Sequence, residues 1–227
     1  PNSKVTVVTV EVSDKNSLHV PTSNDDITFS IKGGKILGVG NGDPTSLEKD
    51  QFLDAVSLVQ ITNFQEQKGI TATLPLELQN YPENDWKTAF KDRDYKNQAP
   101  SYIYKGEFEL KTNLTSNIVS FFYKKIGLET VVFINENKVN ASAEDSQKYI
   151  LDSAILKEGK NIIHIVAMPL QKIKDWDVMN TDPGIIQVIT PAEPWKRKLF
   201  NGYARIIIQK EESAKEVILS ASAKGLR

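Results

Sequence analysis

The stretch from Gly33 to Ser46 (GGKILGVGNGDPTS) is the first candidate for chemistry, because glycine-rich loops can bind phosphate through backbone amides. Gly38-Val39-Gly40 begins the GxGxxG pattern of a dinucleotide-binding turn. The third glycine position holds Asp43, however, and Pro44 follows where a helix should begin. The dinucleotide interpretation therefore fails. Asn41-Gly42, followed by Asp43 and Pro44, instead predicts a strand that ends in a tight turn.

Metal and thiol chemistry is limited by the composition. The 227 residues include no cysteine, which excludes a disulfide scaffold, a thiolate nucleophile and a cysteine-ligated metal. The two histidines, His19 and His164, lie far apart and lack metal-binding spacing. Asp43 supplies one carboxylate, whereas calcium needs about six to eight oxygen ligands. We therefore expect neither a metal nor a cofactor.

The balance of positive and negative residues limits the kinds of molecule that the protein is expected to bind. Lys and Arg total 28 against 29 Asp and Glu, so the chain lacks the electrostatic footprint of a nucleic-acid-binding protein. No window approaches the roughly 18 consecutive apolar residues of a membrane span, so we expect no membrane insertion. A neutral partner, or no partner, fits this composition better. The length suits two domains, each with its own core.

Short strands separated by Gly, Pro, Asn and Asp dominate the chain, which predicts an all-β fold of antiparallel sandwiches. In Val5–Val12 the alternation slips at Val7-Val8, which predicts a β-bulge. The segment Ile27–Ile31 alternates as a half-buried strand does. Further strands are predicted at Ile36–Val39, Val56–Ile61, Tyr102–Tyr104, Phe108–Leu110, Ile118–Tyr123, Thr130–Ile134, Ile162–Met168, Gly184–Thr190, Tyr203–Gln209 and Glu216–Ala223.

The first β-rich unit is interrupted between Ser46 and Arg197. Tyr81–Pro100 is polar with scattered aromatic residues and is predicted to be a long surface loop, while Pro191 and Pro194 mark a linker. The strands before and after the interruption are too few to fold separately. We therefore predict one sandwich made of residues 1–56 and 194–227, with a second domain, residues 57–193, inserted into it.

The outer parts resemble a known family. ITFSI and GGKILGVGNGDPTS, and then RKLFNGYARIIIQ with EVILSASAKGL, resemble the C-terminal immunoglobulin-like domain of glycoside hydrolase family 2 β-galactosidases of the type common in gut Bacteroidetes. In that pattern the GVGNGDP turn is joined to an R-x-x-F-N-G segment. The matching turn-motif residues are Asn41, Gly42, Asp43, Pro44, Arg197, Phe200, Asn201 and Gly202. The long interruption departs from the short connection of the family.

The inserted part resembles the galactose-binding-like jelly roll of the same enzymes. The similarity lies in DWKTAF, SYIYKGEFEL, VVFINENKVN and YILDSAILKEGKNIIHIVA. It runs from a tyrosine-rich strand through an asparagine turn to a Lys-x-Gly-x-Asn element. The resemblance implies a second β-sandwich, which either binds sugar or only supports its neighbours.

Catalytic residues are not expected in this chain. Retaining glycosidases need two carboxylic acids roughly 5 to 5.5 Å apart, and in family 2 these lie on a (β/α)8 barrel. No alternation of strands and helices appears here. Asn135-Glu136 imitates the acid/base dipeptide of the family but lies at a predicted turn, so we expect Glu136 to be a solvated turn residue.

A sugar site in the insert is a second expectation from the resemblance. Neutral sugars are bound by flat aromatic faces together with side chains that hydrogen-bond hydroxyl groups. The competing interpretation is ordinary aromatic packing, since either Tyr102 or Tyr104 must face a core. The candidate carbohydrate-binding residues are Trp86, Tyr95, Tyr102, Trp176, Asp85 and Asp175.

The resemblance implies a non-catalytic accessory region of a family 2 glycoside hydrolase of the β-galactosidase type. Its expected partner is the catalytic barrel of the parent enzyme, with an oligosaccharide as a second, optional ligand. The expected location is periplasmic or secreted in a bacterium. The alternative is a free-standing carbohydrate-binding or surface adhesion module. Whether the protein is an enzyme rests on the parent chain, because no catalytic pair is expected here.

Overall fold

The computed structural model describes residues 4–69, 86–89, 99–111, 115–124, 128–169 and 182–225. In these ranges the chain forms antiparallel strands and a 3₁₀ turn at Ser153–Ile155, with no α-helix. The strands are β1 (Val5–Glu11), β2 (Asp26–Lys32), β3 (Gly34–Gly40), β4 (Ala55–Gln60), β5 (Thr62–Gly69), β6 (Lys87–Thr88), β7 (Ser101–Leu110), β8 (Ile118–Phe122), β9 (Leu128–Ile134), β10 (Asn137–Val139), β11 (Lys148–Leu151), β12 (Gly159–Pro169), β13 (Ile185–Thr190), β14 (Trp195–Lys198), β15 (Tyr203–Lys210) and β16 (Ile218–Ala223). The predicted all-β fold is therefore confirmed. Within these ranges no helix is long and apolar enough to cross a membrane.

The chain divides into two compact units. The first contains the described residues up to Asp54 and from Ala192 onward, and the second contains those from Ala55 to Pro191. The changeovers lie close to the boundaries predicted after residues 56 and 193. The immunoglobulin-like type of the first domain and the jelly-roll type of the second stay predictions.

The first unit combines strands from both ends of the chain. In one of its sheets β15 lies between β1 and β3, and in the other β2 lies between β14 and β16. Phe29 of β2, Val39 of β3 and Ile206 of β15 share one buried core. The middle strand of each sheet comes from one end of the chain, and both of its neighbours come from the other end. Neither end could therefore form these sheets alone.

The second unit contains a six-stranded and a four-stranded sheet. Their strand orders are β10-β9-β12-β7-β5-β6 and β11-β8-β13-β4. Tyr104 of β7, Ile163 of β12 and Phe121 of β8 are fully buried in one core that both sheets share. The alternation of buried and half-buried residues along β13 has the two-residue period expected of a strand that packs on one face.

The ends of the second unit lie side by side. Its first strand, β4, pairs with its last strand, β13, so that Ala55 is opposite Thr190. On the side of the first unit, the Ala192 amide donates a hydrogen bond of 2.9 Å to Asp54 Oδ1. Because the ends of the inserted segment are held together, the insertion costs little loop-closure entropy in the surrounding unit.

The bulge predicted at Val7-Val8 is wrong. Strand β1 pairs with β15 in continuous register from Val5 to Glu11. The irregularity lies in the pairing of β15 with β3, between Ile207 and Ile208. Strand β1 is an edge strand whose residues are mostly exposed, so its apolar pattern need not keep one phase.

Asn161 explains the Lys-x-Gly-x-Asn element of the second unit. Its side chain is 0% exposed and bonds the Lys157 amide at 2.8 Å, the Lys157 carbonyl at 2.7 Å and the Gly159 carbonyl at 3.0 Å. Its Oδ1 also accepts a hydrogen bond of 2.8 Å from Asn135 Nδ2. Asn135 and Glu136 have φ angles of 45° and 70°, which form the turn between β9 and β10. Glu136 is exposed at this turn. The side chain of Asn135 makes hydrogen bonds that hold the turn in place.

We predict that Asn161→Ala destabilises the second unit by about 2–3 kcal/mol, because it leaves buried backbone groups without hydrogen-bond partners. Urea unfolding followed by intrinsic fluorescence would measure the loss. The matched control is Asn140→Ala, at an exposed position that should change the free energy of unfolding by less than about 0.5 kcal/mol. Equal effects of the two substitutions would contradict the structural role of Asn161.

Candidate functional site

The two halves of the predicted turn motif meet in the first unit through the buried side chain of Arg197. This arginine, on β14, is 4% exposed. Its Nη1 donates to Asp50 Oδ1 at 3.0 Å and to the Glu48 carbonyl at 3.3 Å, and its Nε lies 3.5 Å from Glu48 Oε2. Its Nη2 donates to Asn41 Oδ1 at 3.4 Å. A single guanidinium therefore fixes both ends of the loop from Asn41 to Asp50.

Asn41 completes the connection from the side of the turn. Its Nδ2 donates to the Lys198 carbonyl at 2.8 Å, and its Oδ1 accepts from the Asp43 amide at 3.0 Å. Gly42 between them has a φ of +81°, which side chains rarely adopt. Pro44 is exposed and follows the turn. Asn41 thus joins the turn to β14 with both of its side-chain polar atoms.

Asp43 stabilises the turn locally. Its Oδ1 accepts hydrogen bonds from the Thr45 amide at 2.8 Å and from the Thr45 hydroxyl at 2.7 Å. These two bonds hold the pKa of Asp43 below its usual value, with a smaller contribution from the charge of Arg197. No group of three or more His, Asp or Glu side chains that could bind a metal occurs in the described ranges.

The Phe200-Asn201-Gly202 segment forms the tight turn that leads into β15. Asn201 and Gly202 have φ angles of 51° and 76°, and the backbones of Phe200 and Tyr203 exchange hydrogen bonds of 3.0 and 3.1 Å. A Cβ on Gly202 would lie 2.4 Å from the Val20 carbonyl oxygen. Gly202 is therefore required for close backbone packing, and this half of the motif is also structural.

A groove of about 710 Å³ lies beside this motif in the first unit. Gly38 and Gly40 of β3 line it, and a Cβ at Gly40 would meet no atom within 4 Å. Polar groups reach it from Lys49 and Arg205. Sequence reasoning missed this groove because strand pairing alone brings Arg205 opposite Gly40. The sequence signal that could have indicated the groove is the pair Gly38 and Gly40, which are two residues apart and therefore lie on the same face of β3.

The candidate sugar-binding residues are placed only in part. Tyr95, Trp176, Asp85 and Asp175 lie outside the described residues. Tyr102 is 1% exposed, and its ring lies in the core 6.3 Å from that of Tyr104. Its hydroxyl accepts a hydrogen bond of 3.1 Å from the Ala99 amide. A sugar cannot stack on Tyr102 in this structure, because the ring has no exposed face.

Trp86 lies on the other face of the six-stranded sheet. It is partly buried against a small cluster formed by Ile103, Phe133 and Val166. The ammonium group of Lys105 lies 5.6 Å from its ring centroid, and the ring of His164 lies 6.5 Å away. The Trp86 ring therefore has packing neighbours, although part of its surface remains open to solvent.

His19, in the turn before β2, makes two contacts with its neighbours. Its ring stacks on Tyr203 with centroids 4.2 Å apart, and its Nδ1 lies 3.1 Å from Glu11 Oε1. These contacts connect the turn before β2 to the sheet edge, so the structure gives them a packing role.

Comparison with known families identifies one segment of the chain. The model of glycoside hydrolase family 2 C-terminal domain 5 matches residues 2–58. This match supports a family 2 C-terminal region. It includes β1 and also β2, β3 and the Asn41–Pro44 turn, and the last three carried the first half of the resemblance. No curated protein matches the chain.

We predict that Arg197→Lys destabilises the first unit by about 1–3 kcal/mol, because lysine keeps the charge but loses the planar set of donors. Urea unfolding would measure the change, and proteolysis within residues 41–50 should become faster. The matched control is Arg205→Lys, at an exposed position on β15. The interpretation would fail if both variants unfolded at the wild-type denaturant concentration.

Proposed function

We propose that this chain is a non-catalytic accessory region of a family 2 glycoside hydrolase of the β-galactosidase type, and that it supports the catalytic barrel of the parent enzyme. The observation that carries the proposal is the match of residues 2–58 to a family 2 C-terminal domain. A C-terminal domain of this family accompanies a catalytic domain in the same polypeptide. The chemistry would then take place outside the residues described.

The structure of the motif supports an accessory role. Arg197, Asn41 and Asp43 use their polar atoms to hold a loop and a turn, and Asn201 and Gly202 form a tight turn. Glu136, which imitates the family acid/base residue, is exposed at a hairpin turn. None of these residues is arranged as a pair of carboxylates around a substrate. Rigid loops of this kind suit a domain that positions its neighbours.

Carbohydrate binding is the finer part of the proposal. Among the described candidates only Trp86 keeps an accessible ring, and Lys105 beside it could donate to a hydroxyl group. The other residues proposed from the sequence, Tyr95, Trp176, Asp85 and Asp175, lie outside the described residues. The β-galactosidase specificity, an origin in Bacteroidetes and a periplasmic or secreted location also belong to the proposal.

The accessory role predicts that deletion of this region from the complete parent protein lowers kcat/KM for a galactoside by about tenfold or more, because the active site loses support. The 227-residue chain alone should not hydrolyse a chromogenic galactoside. A parent protein that carries Asn140→Ala, at an exposed position, serves as the control and should keep full activity. A complete reading frame without a catalytic barrel would contradict the proposal and favour a free-standing module.

The sugar site is tested by calorimetric titration of the 227-residue chain with galactosides and plant-wall oligosaccharides. Binding heat should be lost in Trp86→Ala or Trp176→Ala, because a stacked sugar loses its aromatic platform. Trp195→Phe is the matched control, since Trp195 packs against Phe52 in the first unit. The absence of heat at millimolar ligand would leave the supporting role alone.

A further inference from the structure

One sheet of the second unit carries apolar residues on both faces. In β13, Ile186 and Val188 point into the core, so Ile185 and Ile189 point to the opposite, outer face. In β4, Val59 packs on the core, so Val56 and Leu58 share that outer face. A sandwich strand normally carries polar residues on its outer face, and apolar residues on both faces are typical of strands covered on both sides.

The strand register places these outer residues next to one another. Ile189 lies between Ile118 of β8 and Val56 of β4. In the next outward row, Gln187 of β13 lies between Leu58 of β4 and Ser120 of β8. Ile150 of β11 lies on the other side of Ser120. The outer face of the four-stranded sheet is thus defined here by Val56, Leu58, Ile118, Ile150, Ile185 and Ile189.

Much of this outer face is open to solvent. Val56 and Leu58 are each 58% exposed, Ile150 is 56% exposed and Ile118 is 49% exposed. Four half-exposed aliphatic side chains make a patch within the range of about 300–600 Å² that is usual for the largest apolar patch of a monomer, and such patches often have a function. A stable complex between separate proteins covers about 800 Å² per partner. The patch is therefore small for an independent dimer.

The chemistry of the outer face selects an apolar protein surface as its partner. Outward positions on β4, β8 and β13 carry no Asp, Glu, Lys or Arg. Lys148 lies at the far strand, with its ammonium group 5.8 Å from the ring centroid of Phe122. Nucleic acid would need a positive surface. A sugar would need an open aromatic face, and among the described outward residues of this sheet the one aromatic ring, that of Phe122, is partly buried beside Lys148.

We infer that the upstream catalytic part of the same polypeptide docks on the outer face of the four-stranded sheet. This inference rests on the proposed function, because the family match implies a catalytic domain in the same chain. Covalent attachment gives such a domain an effective concentration of about millimolar. A patch that is too small for an independent dimer is then large enough to dock a domain of the same polypeptide. Because the patch is uncharged, the surface that docks on it needs no charged residues.

The test places a photo-crosslinking amino acid at Leu58 of the complete parent protein, with Lys138 as the control site. Lys138 is exposed on β10 of the other sheet. Mass spectrometry should find cross-links from position 58 to peptides upstream of Pro1 and none from position 138. A cross-link from position 58 to any peptide of residues 1–227, in the same molecule or a second copy, would overturn the inference, and so would no cross-link.

A charge substitution gives a second, independent readout. Leu58→Lys should leave the melting temperature of the 227-residue chain unchanged, because the side chain points into water. In the complete protein it should lower the melting temperature, because the lysine must be buried beneath the docked domain. An unchanged melting temperature in the complete protein would overturn the inference while leaving the proposed function intact. A reading frame that encodes no catalytic barrel would instead contradict the proposed function.

Discussion

The guanidinium of Arg197 holds a segment of the first unit that has no regular secondary structure. Residues 41–50 form neither helix nor strand, so their backbone carbonyls have no ladder in which to pair. Arg197 meets the carbonyl of Glu48 and the side chains of Asn41 and Asp50 from a nearly buried position. Its acidic partners keep contact with water, which limits the desolvation cost of the ion pairs. One planar cation therefore gives a fixed shape to a loop that the backbone alone would leave undetermined.

That contact also explains how the first unit survives a long interruption. Arg197 and Asn41 lie on opposite sides of the inserted segment in the sequence. They meet between the two sheets of the first unit, because Arg197 is on β14 of one sheet and Asn41 follows β3 of the other. The interruption begins after Asp54 and ends before Ala192, where these two residues share a hydrogen bond. A segment whose ends are already joined can grow into a complete domain without opening the surrounding sandwich.

The second unit divides its apolar residues between two uses. Tyr104, Phe121 and Ile163 fill the core between the sheets. The outer face of the four-stranded sheet repeats the apolar character of the core without a covering layer in the structure described. A domain whose aromatic residues serve mainly in packing, and whose outer face is apolar, is better suited to contact protein than to chemistry. Both features agree with the supporting role proposed from the family match.

The amino-acid sequence alone determined the all-β fold, since short alternating strands between turn residues can pack in few other ways. It also related Asn41-Gly42-Asp43 to Arg197 by resemblance, and it predicted Glu136 at a turn. Only the tertiary structure decided that Tyr102 is a core residue, because a two-residue period cannot say which face of a strand is covered. The outer apolar face likewise became visible only when pairing brought Val56, Ile118 and Ile189 together, since these residues are distant in sequence and adjacency across strands is a property of register.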